Sequence, residues 1–167
     1  GLMNQARLAK SLGTSAQTVA RYVDLMVDLL LVRRLQPLHA NTLKRIVKAP
    51  KTYWRDPGIV HALLGIETLD GLLGHPVAGP SWEGFVIENL VAAAPPLTVA
   101  SFYRTHSGAE VDLVLDMPGK GRLAVEIKRS TVPKLERGFY AALKDLKPER
   151  SFVVTPGIER FALRDGI

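Results

Sequence analysis

Two runs of alternating apolar and polar residues between Glu110 and Lys128 form the most regular pattern in the chain. They flank a short break, 117–121, whose Pro and Gly residues predict the turn of a β-hairpin. With Gly119 as the centre of the turn, residues equidistant from it face each other across the two strands. Because side chains alternate along a strand, the pattern predicts a hairpin in which Glu126 and Lys128 share a face.

Apolar residues at helical spacing open the chain and predict two consecutive helices. Gly13 ends the first helix, and Thr14 or Ser15 caps the second. The apolar positions are Ala6, Leu8, Ala9, Leu12, Val19, Tyr22, Val23 and Met26. Two helices joined by a Gly-containing turn form a helix-turn-helix pattern, in which we expect Val19 and Tyr22 to close the core.

The periodicity changes from helical to extended after Leu31. The predicted strands are residues 31–35, 45–48 and 52–55, with a break near residues 37–41. Together with the two helices, these strands predict a winged helix-turn-helix domain over residues 1–56.

A mixed order of helices and strands follows. Asp56-Pro57-Gly58 is both a turn and a helix start, and the Gly- and Pro-rich stretch 65–80 is a connector around a short segment, 69–73. The remaining predicted elements are a helix at 82–94, a strand at 97–104, the hairpin, a helix at 133–146 and a strand at 151–155. We expect connector helices over residues 57–80 and a mixed-sheet domain over residues 81–167, so the predicted fold class is α/β, or α+β.

The composition is that of a globular protein. The chain has 167 residues, of which 47% are hydrophobic, which is enough for one core or two small ones. Its longest apolar run, Leu29 to Val32, is too short to cross a bilayer, so we expect a cytoplasmic protein without a membrane partner. The sequence has no cysteine, so a bound metal would have oxygen or imidazole ligands. Because Gly1-Leu2-Met3 lacks a natural start, we expect a fragment of a longer protein.

Positive charge is concentrated in the first third of the chain. Residues 1–56 hold 10 Lys and Arg against 3 Asp and Glu, whereas residues 57–167 hold 12 against 13. A nucleic-acid-binding module beside a neutral domain has this asymmetry, and so does a solvated basic surface. The candidate DNA-binding residues are Gln17, Thr18 and Arg21 on the second helix and Arg33, Arg34, Lys44, Arg45 and Lys48 in the wing. The alternative is that the winged helix packs between domains and does not contact DNA.

Carboxylates on facing strands form the candidate catalytic site. The hairpin register places Asp112 opposite Glu126, with Cβ atoms about 4.5 to 5.5 Å apart, where like charges repel. A cation would remove that repulsion, and Lys128 lies on the same face as Glu126. The alternative is that the charged Glu-x-Lys pair only protects an edge strand from further pairing.

An Asp on one strand and Glu-x-Lys on the next resemble the PD-(D/E)XK nuclease superfamily, although Val111 stands where that superfamily often has Pro. The resemblance implies a restriction-endonuclease-like fold in which Asp112 and Glu126 hold Mg²⁺ or Mn²⁺. It also implies that Lys128 orients the attacking water and that Glu88, on the helix before the sheet, completes the catalytic set.

The order of motifs along nearly the whole chain resembles the C-terminal module, of unknown function, of prokaryotic AAA-type ATPases. The segments that carry the resemblance are the helix-turn-helix, the basic wing, Lys48 to Ile59, Gly84 to Leu90, Phe102 to Asp112 and Val125 to Lys128. In that family a P-loop ATPase domain precedes the module, and this chain has no G-x-x-x-x-G-K-[ST] motif. The resemblance therefore implies that ATP binds only to a missing N-terminal domain of the same polypeptide.

Three functions stay open at this point. The chain is a metal-dependent nuclease, a catalytically inactive module that binds DNA or protein, or a regulator that acts through its helix-turn-helix. A regulator predicts DNA binding that survives Asp112→Ala and is lost when Arg21 is replaced.

Overall fold

The structure is a computed structural model, which describes residues 1–38, 44–160 and 162. The helices in these residues are α1 (Gln5–Ser11), α2 (Ala16–Asp28), α3 (Pro57–Leu63), α4 (Leu69–Gly74), α5 (Ala78–Ala93) and α6 (Arg137–Leu146). The strands are β1 (Val32–Pro37), β2 (Lys51–Trp54), β3 (Val99–Arg104), β4 (Glu110–Met117), β5 (Gly121–Ile127) and β6 (Arg150–Val154). The six strands follow the order β2-β1-β3-β4-β5-β6 in a mixed sheet, so the predicted mixed α/β class is confirmed. The winged-helix and PD-(D/E)XK assignments stay predictions.

Residue contacts divide the chain into two compact units. The first unit comprises Gly1–Leu35 and Ala49–Phe85, and the second comprises Gln36–Lys48 and Val86–Ile167. The domain bounds expected from the sequence stay a prediction, because contact units need not coincide with domains. These bounds are 1–56, 57–80 and 81–167. The units are interleaved along the chain, because a stretch from the predicted wing folds with the second unit.

The first unit begins with the two helices predicted from the apolar spacing. The side chain of Ser15 caps α2 by accepting a hydrogen bond from the backbone of Thr18, and the turn before it contains Gly13 at φ +63°. A small core of Ala9, Val19 and Val23, with Met3 and Met26 packed against it, joins the helices.

The prediction that Tyr22 closes this core is wrong, because its side chain is 63% exposed. Val19 and Val23 are four residues apart and form the buried stripe of α2, and the position before Val23 points about 100° away from that stripe.

Two of the three strands predicted for the wing are present in the described residues. Strands β1 and β2 pair antiparallel from Val32↔Trp54 to Leu35↔Lys51, as expected for two of its strands. Residues 45–48, however, do not form the predicted strand; Ile46 makes an isolated bridge with Thr105. Part of the predicted break, residues 39–41, lies outside the described residues.

Helix ends follow the local capping chemistry. Asp56 caps α3 by accepting from the backbone of Gly58 at 2.8 Å, and Thr68 caps α4. Helix α5 starts four residues before the predicted start at Trp82 and ends before the Pro95-Pro96 pair. Helix α6 starts later than the predicted residue 133, because its N-cap, Glu136, has an extended backbone.

The second unit contains most of the sheet and the second half of α5, with α6 packed against β4. The last two residues of β1 pair parallel with β3, the pairs β3/β4 and β4/β5 are antiparallel, and β6 joins β5 in parallel. The core cluster of this unit comprises Tyr103, Ala109, Val111, Val114, Ala124, Phe139, Ala142 and Leu146.

No helix within residues 1–38, 44–160 and 162 combines the length and apolar character that crossing a membrane requires.

Candidate functional site

The β4–β5 hairpin has the register predicted from Gly119 as its centre. The recorded pairs run from Leu113↔Val125 to Met117↔Gly121, and in each pair the two residues are equidistant from Gly119. One further step of the same register brings Asp112 opposite Glu126.

The two faces of β5 have different surroundings. Ala124 belongs to the core cluster with α6, whereas Leu123 and Val125 line a cavity together with Leu90 of α5. Side chains two residues apart share a face, so Glu126 lies on the same face as Ala124. The prediction that alternate residues of this strand point into different layers is confirmed.

A β-bulge lies at Asp112. The ladder between β3 and β4 changes register from Ser101↔Val114 to Tyr103↔Val111, so two residues of β4 oppose one residue of β3. Such bulges re-aim side chains and are frequent beside functional sites. Asp112 is one of these two residues, and its Oδ2 accepts a hydrogen bond from the backbone N–H of Ile127 at 3.1 Å.

Glu126 is a buried carboxylate of the second unit. It is 7% exposed, and its Oε1 lies 2.9 Å from Nζ of Lys128. Its Oε2 is buried and has no hydrogen-bond partner among the described residues. Burial first, and then the negative charge of Asp112, raise the pKa of Glu126 to about 7, although Lys128 acts in the opposite direction.

Lys128 is held as a cation by its acidic surroundings. Burial works to lower its pKa, but the hydrogen bond and charge of Glu126, followed by the charges of Asp112 and Glu136, outweigh burial and raise the pKa of Lys128. Two carboxylates and one ammonium group therefore come together, as the hairpin pattern predicted. Glu136, the N-cap of α6, is a neighbour that the sequence pattern did not indicate.

Glu88 lies on α5 and is half-buried. Within the described ranges, no group of three or more His, Cys, Asp or Glu residues is arranged to hold a metal ion. The structure thus does not bring Glu88 into a three-residue ligand set with Asp112 and Glu126, and its role as a further catalytic residue stays a prediction.

The candidate DNA-binding residues of the first unit have different surroundings. Gln17 and Arg21 are exposed on α2, and the Thr18 hydroxyl lies 2.9 Å from that of Ser15. Arg34 forms an ion pair with Asp24 at 2.6 Å. The remaining member of this group in the first unit, Arg33, is half-buried on β1.

The other three candidate DNA-binding residues belong to the second unit. Nζ of Lys44 lies 2.6 Å and 2.8 Å from the two carboxylate oxygens of Asp145. Arg45 and Lys48 are exposed. The pairing of Lys44 with Asp145 on α6 joins residues that are 101 positions apart, and no local pattern could have indicated it.

A buried polar cluster in the first unit was not found from the sequence. Glu83 accepts hydrogen bonds from Lys51, at 3.1 Å, and from the Tyr53 hydroxyl, at 2.5 Å. Burial works to raise the pKa of Glu83, but the Lys51 charge and the two hydrogen bonds together lower it. The alternation of Lys51 and Tyr53 on one face of β2 is the signal in the sequence, but nothing there indicates Glu83 as their partner.

Fold and site together define a mixed α/β protein with a buried carboxylate–lysine pair at the end of a β-hairpin. Two family models match the chain: a domain of unknown function, DUF8612, over residues 1–70 and a domain of unknown function, DUF4143, over residues 78–167. The chain belongs to the DUF4143 family.

Two curated relatives are uncharacterised proteins of Mycobacterium tuberculosis and Mycobacterium bovis, each 42% identical over 166 residues. The match covers 99% of this chain and 37% of each relative, so the chain spans little more than a third of their length. No solved structure matches the chain.

Proposed function

We propose that the second unit contains a divalent-metal site of the nuclease type that cleaves phosphodiester bonds. The observation that carries the proposal is the Oε2 atom of Glu126, which is buried beside the charge of Asp112 and has no hydrogen-bond partner in the described part of the chain. A buried acceptor without a donor costs free energy, and a cation between the two carboxylates would offset that cost.

The donor set suits Mg²⁺ or Mn²⁺. Both ions prefer oxygen ligands, and Mg²⁺ is commonly bound by one or two carboxylates together with waters and substrate phosphates. Asp112 and Glu126 are two carboxylates of this kind, so a third protein ligand is not required. The fit therefore does not depend on the placement of Glu88.

Each group of the site has a separate task in the proposed reaction. Asp112 and Glu126 would hold the cation, which when bound lowers the pKa of water and offsets the charge that develops on the phosphate. Lys128, fixed by Glu126 at 2.9 Å, would orient the attacking water with its ammonium protons. Its raised pKa keeps this donor charged at neutral pH.

The relatives suggest a context for this site. DUF4143 is commonly the C-terminal part of AAA-type ATPases, and the chain corresponds to 37% of the length of its mycobacterial relatives. We therefore propose that a P-loop domain outside this chain binds ATP and that the present chain is the C-terminal, effector part of the same polypeptide.

Calorimetry with Mg²⁺ and Mn²⁺ on the purified chain tests the metal site. We expect binding to the wild type and its loss in Asp112→Asn and in Glu126→Gln. The matched control is Asp116→Asn, which makes the same change on the same strand at a carboxylate paired with Arg122 at 2.7 Å. A plasmid-cleavage assay on the same variants then tests the reaction, and a wild type that binds neither metal would refute the proposal.

The second candidate function is a catalytically inactive module that binds DNA or protein. The observation that favours it is the absence of a three-residue ligand group in the described residues, together with the pairing of Lys128 to Glu126. If the module is instead a DNA-binding regulator, Arg21→Ala abolishes binding while Asp112→Ala does not.

A further inference from the structure

Residues 44–48, here called the basic ribbon, lie beside the end of β3 in the second unit. Ile46 forms an antiparallel bridge with Thr105, and the backbone N–H of His106 donates to the carbonyl oxygen of Arg45 at 2.9 Å. The basic ribbon thus belongs to the unit that carries the hairpin carboxylates, and it is not a strand of a wing.

Two further contacts fix the basic ribbon in place. Ile46 packs against the core cluster of the second unit, and Lys44 contacts both carboxylate oxygens of Asp145, which also accepts from the Tyr103 hydroxyl at 3.0 Å. Asp145 is only 12% exposed. The charge of Lys44 is therefore engaged in holding the ribbon, whereas Arg45 and Lys48 extend into solvent.

The basic ribbon lies at the same level of the sheet as the candidate site. The backbone N–H of Val47 donates to the carbonyl oxygen of Arg104 at 2.9 Å, Arg104 pairs with Glu110 across β3 and β4, and the negative charge of Glu110 acts on Glu126. Neighbouring strands are about 4.8 Å apart, so two spacings, about 10 Å, separate the ribbon from Glu110.

We propose that Arg45 and Lys48 bind the phosphate backbone of the nucleic acid that the site at Asp112 and Glu126 cleaves. The inference rests on the proposed function for the identity of the substrate. Arg and Lys are the usual phosphate-binding side chains. The major groove of DNA is about 12 Å wide, so one duplex can reach the ribbon and the carboxylates together.

Two other cations of the basic first third, Arg34 and Lys51, are committed to protein contacts. Arg34 lies 2.6 Å from Asp24, and Lys51 is 4% exposed and paired with Glu83. A cation already paired with a carboxylate contributes little net attraction for a phosphate. Arg34 and Lys51 are therefore less available for phosphate than Arg45 and Lys48, which lie exposed in the unit that carries the candidate site.

Fluorescence anisotropy with a short labelled DNA duplex, in EDTA and at several salt concentrations, tests the assignment on the whole chain. The variant is Arg45→Ala with Lys48→Ala. The matched control is Arg7→Ala with Lys10→Ala, which removes the same charge from exposed positions of α1. Circular dichroism establishes that both variants fold.

We expect the ribbon variant to bind about tenfold more weakly at low salt, with the slope of log affinity against log salt reduced by about 2, because two phosphate contacts are lost. The control should keep the wild-type slope. A third variant, Arg45→Lys with Lys48→Arg, keeps both positive charges and should bind as the wild type does. Equal losses in the two double variants, or no loss in either, would overturn the assignment. Parallel titrations with duplex RNA and single-stranded DNA identify which phosphate backbone is preferred.

The design separates this inference from the proposed function. Binding in EDTA requires neither metal nor cleavage, so a ribbon-dependent affinity without any metal-dependent cleavage supports the ribbon and refutes the nuclease. Cleavage that is lost in Glu126→Gln but is unchanged in the ribbon variant supports the nuclease and refutes the ribbon.

Discussion

A carboxylate that is 7% exposed, with one oxygen lacking a hydrogen-bond partner in the described residues, costs folding free energy. Glu126 meets only part of that cost through Lys128, because Asp112 contributes a second negative charge to the same place. An arrangement of this kind is frequent where a site is used for binding or catalysis rather than for stability.

Removing the charge with Glu126→Gln should flatten the dependence of stability on pH. Because folding raises the pKa of Glu126 from 4.5 to about 7, the folded state binds this proton more tightly than the unfolded state, and stability falls as pH rises from about 4.5 to 7. Each pKa unit corresponds to about 1.4 kcal/mol, so the wild type loses about 2 to 3 kcal/mol over this range.

Urea unfolding in EDTA at pH 5 and pH 8 measures this loss. Between pH 5 and pH 8 the free energy of unfolding should fall by about 2 to 3 kcal/mol more in the wild type than in Glu126→Gln. Glu67→Gln, an exposed control, should follow the wild type. Curves for wild type and Glu126→Gln that stay parallel would contradict the assignment.

The sequence could predict that Asp112 and Glu126 lie opposite each other, because this pairing depends only on the period of a strand and the centre of a turn. The burial of Glu126 could not, since it depends on α6, whose contact with the sheet is distant in sequence. The unpartnered Oε2 likewise results from three-dimensional packing and leaves no local signal.

Helix α6 is positioned in the second unit by a close approach between two backbone segments. Gly138, in the first turn of α6, has no side chain where the carbonyl oxygen of Gly108 approaches, and a Cβ there would overlap that oxygen. A carbonyl oxygen of the backbone cannot move aside as the end of a side chain can. Gly138 is therefore required for the position of the helix that covers the face bearing Glu126.

Gly138→Ala should destabilise the protein by about 2 kcal/mol or more, in the range of overpacked sites. The same change at Gly79, in the first turn of α5, meets no atom within 4 Å and should stabilise by up to about 1 kcal/mol, because Ala favours the helix. Thermal unfolding of the two variants gives the comparison. Melting temperatures that shift in the same direction would show that the close approach does not limit α6.

The sequence predicted the positions of helices and strands better than it predicted which of these elements contact each other. Helix α3 was found from Asp56 and Pro57, whose capping roles are local. The Ile46 contact was missed, because the choice between a wing strand and a bridge to Thr105 is decided by the distant end of β3.

Among the described residues, one core cluster joins α1 and α2 and another lies between α6 and the sheet. Both tryptophans, Trp54 and Trp82, belong to the first unit, so their fluorescence reports chiefly on that unit. The interleaving of the units was not predictable from the sequence, because contacts with β3 and Thr105, which are distant along the chain, decide it.

Val111→Ala should therefore separate two unfolding transitions. Val111 is fully buried in the second core, and losing two methyl groups there costs about 2 kcal/mol. We expect the far-UV circular dichroism transition to shift to lower denaturant while tryptophan fluorescence keeps its wild-type midpoint. Coincident shifts in both signals would show that the units unfold as one.

The hairpin register also restricts how the lengths of related proteins can differ. Asp112 and Glu126 are separated by 13 residues, and they face each other only because Gly119 lies midway between them. With the same turn, a hairpin can lengthen or shorten only by one residue on each strand at once. Relatives that keep the carboxylate pair should therefore differ in this spacing by even numbers, and an odd difference would mark either a different turn or a chain in which the two acids no longer face each other.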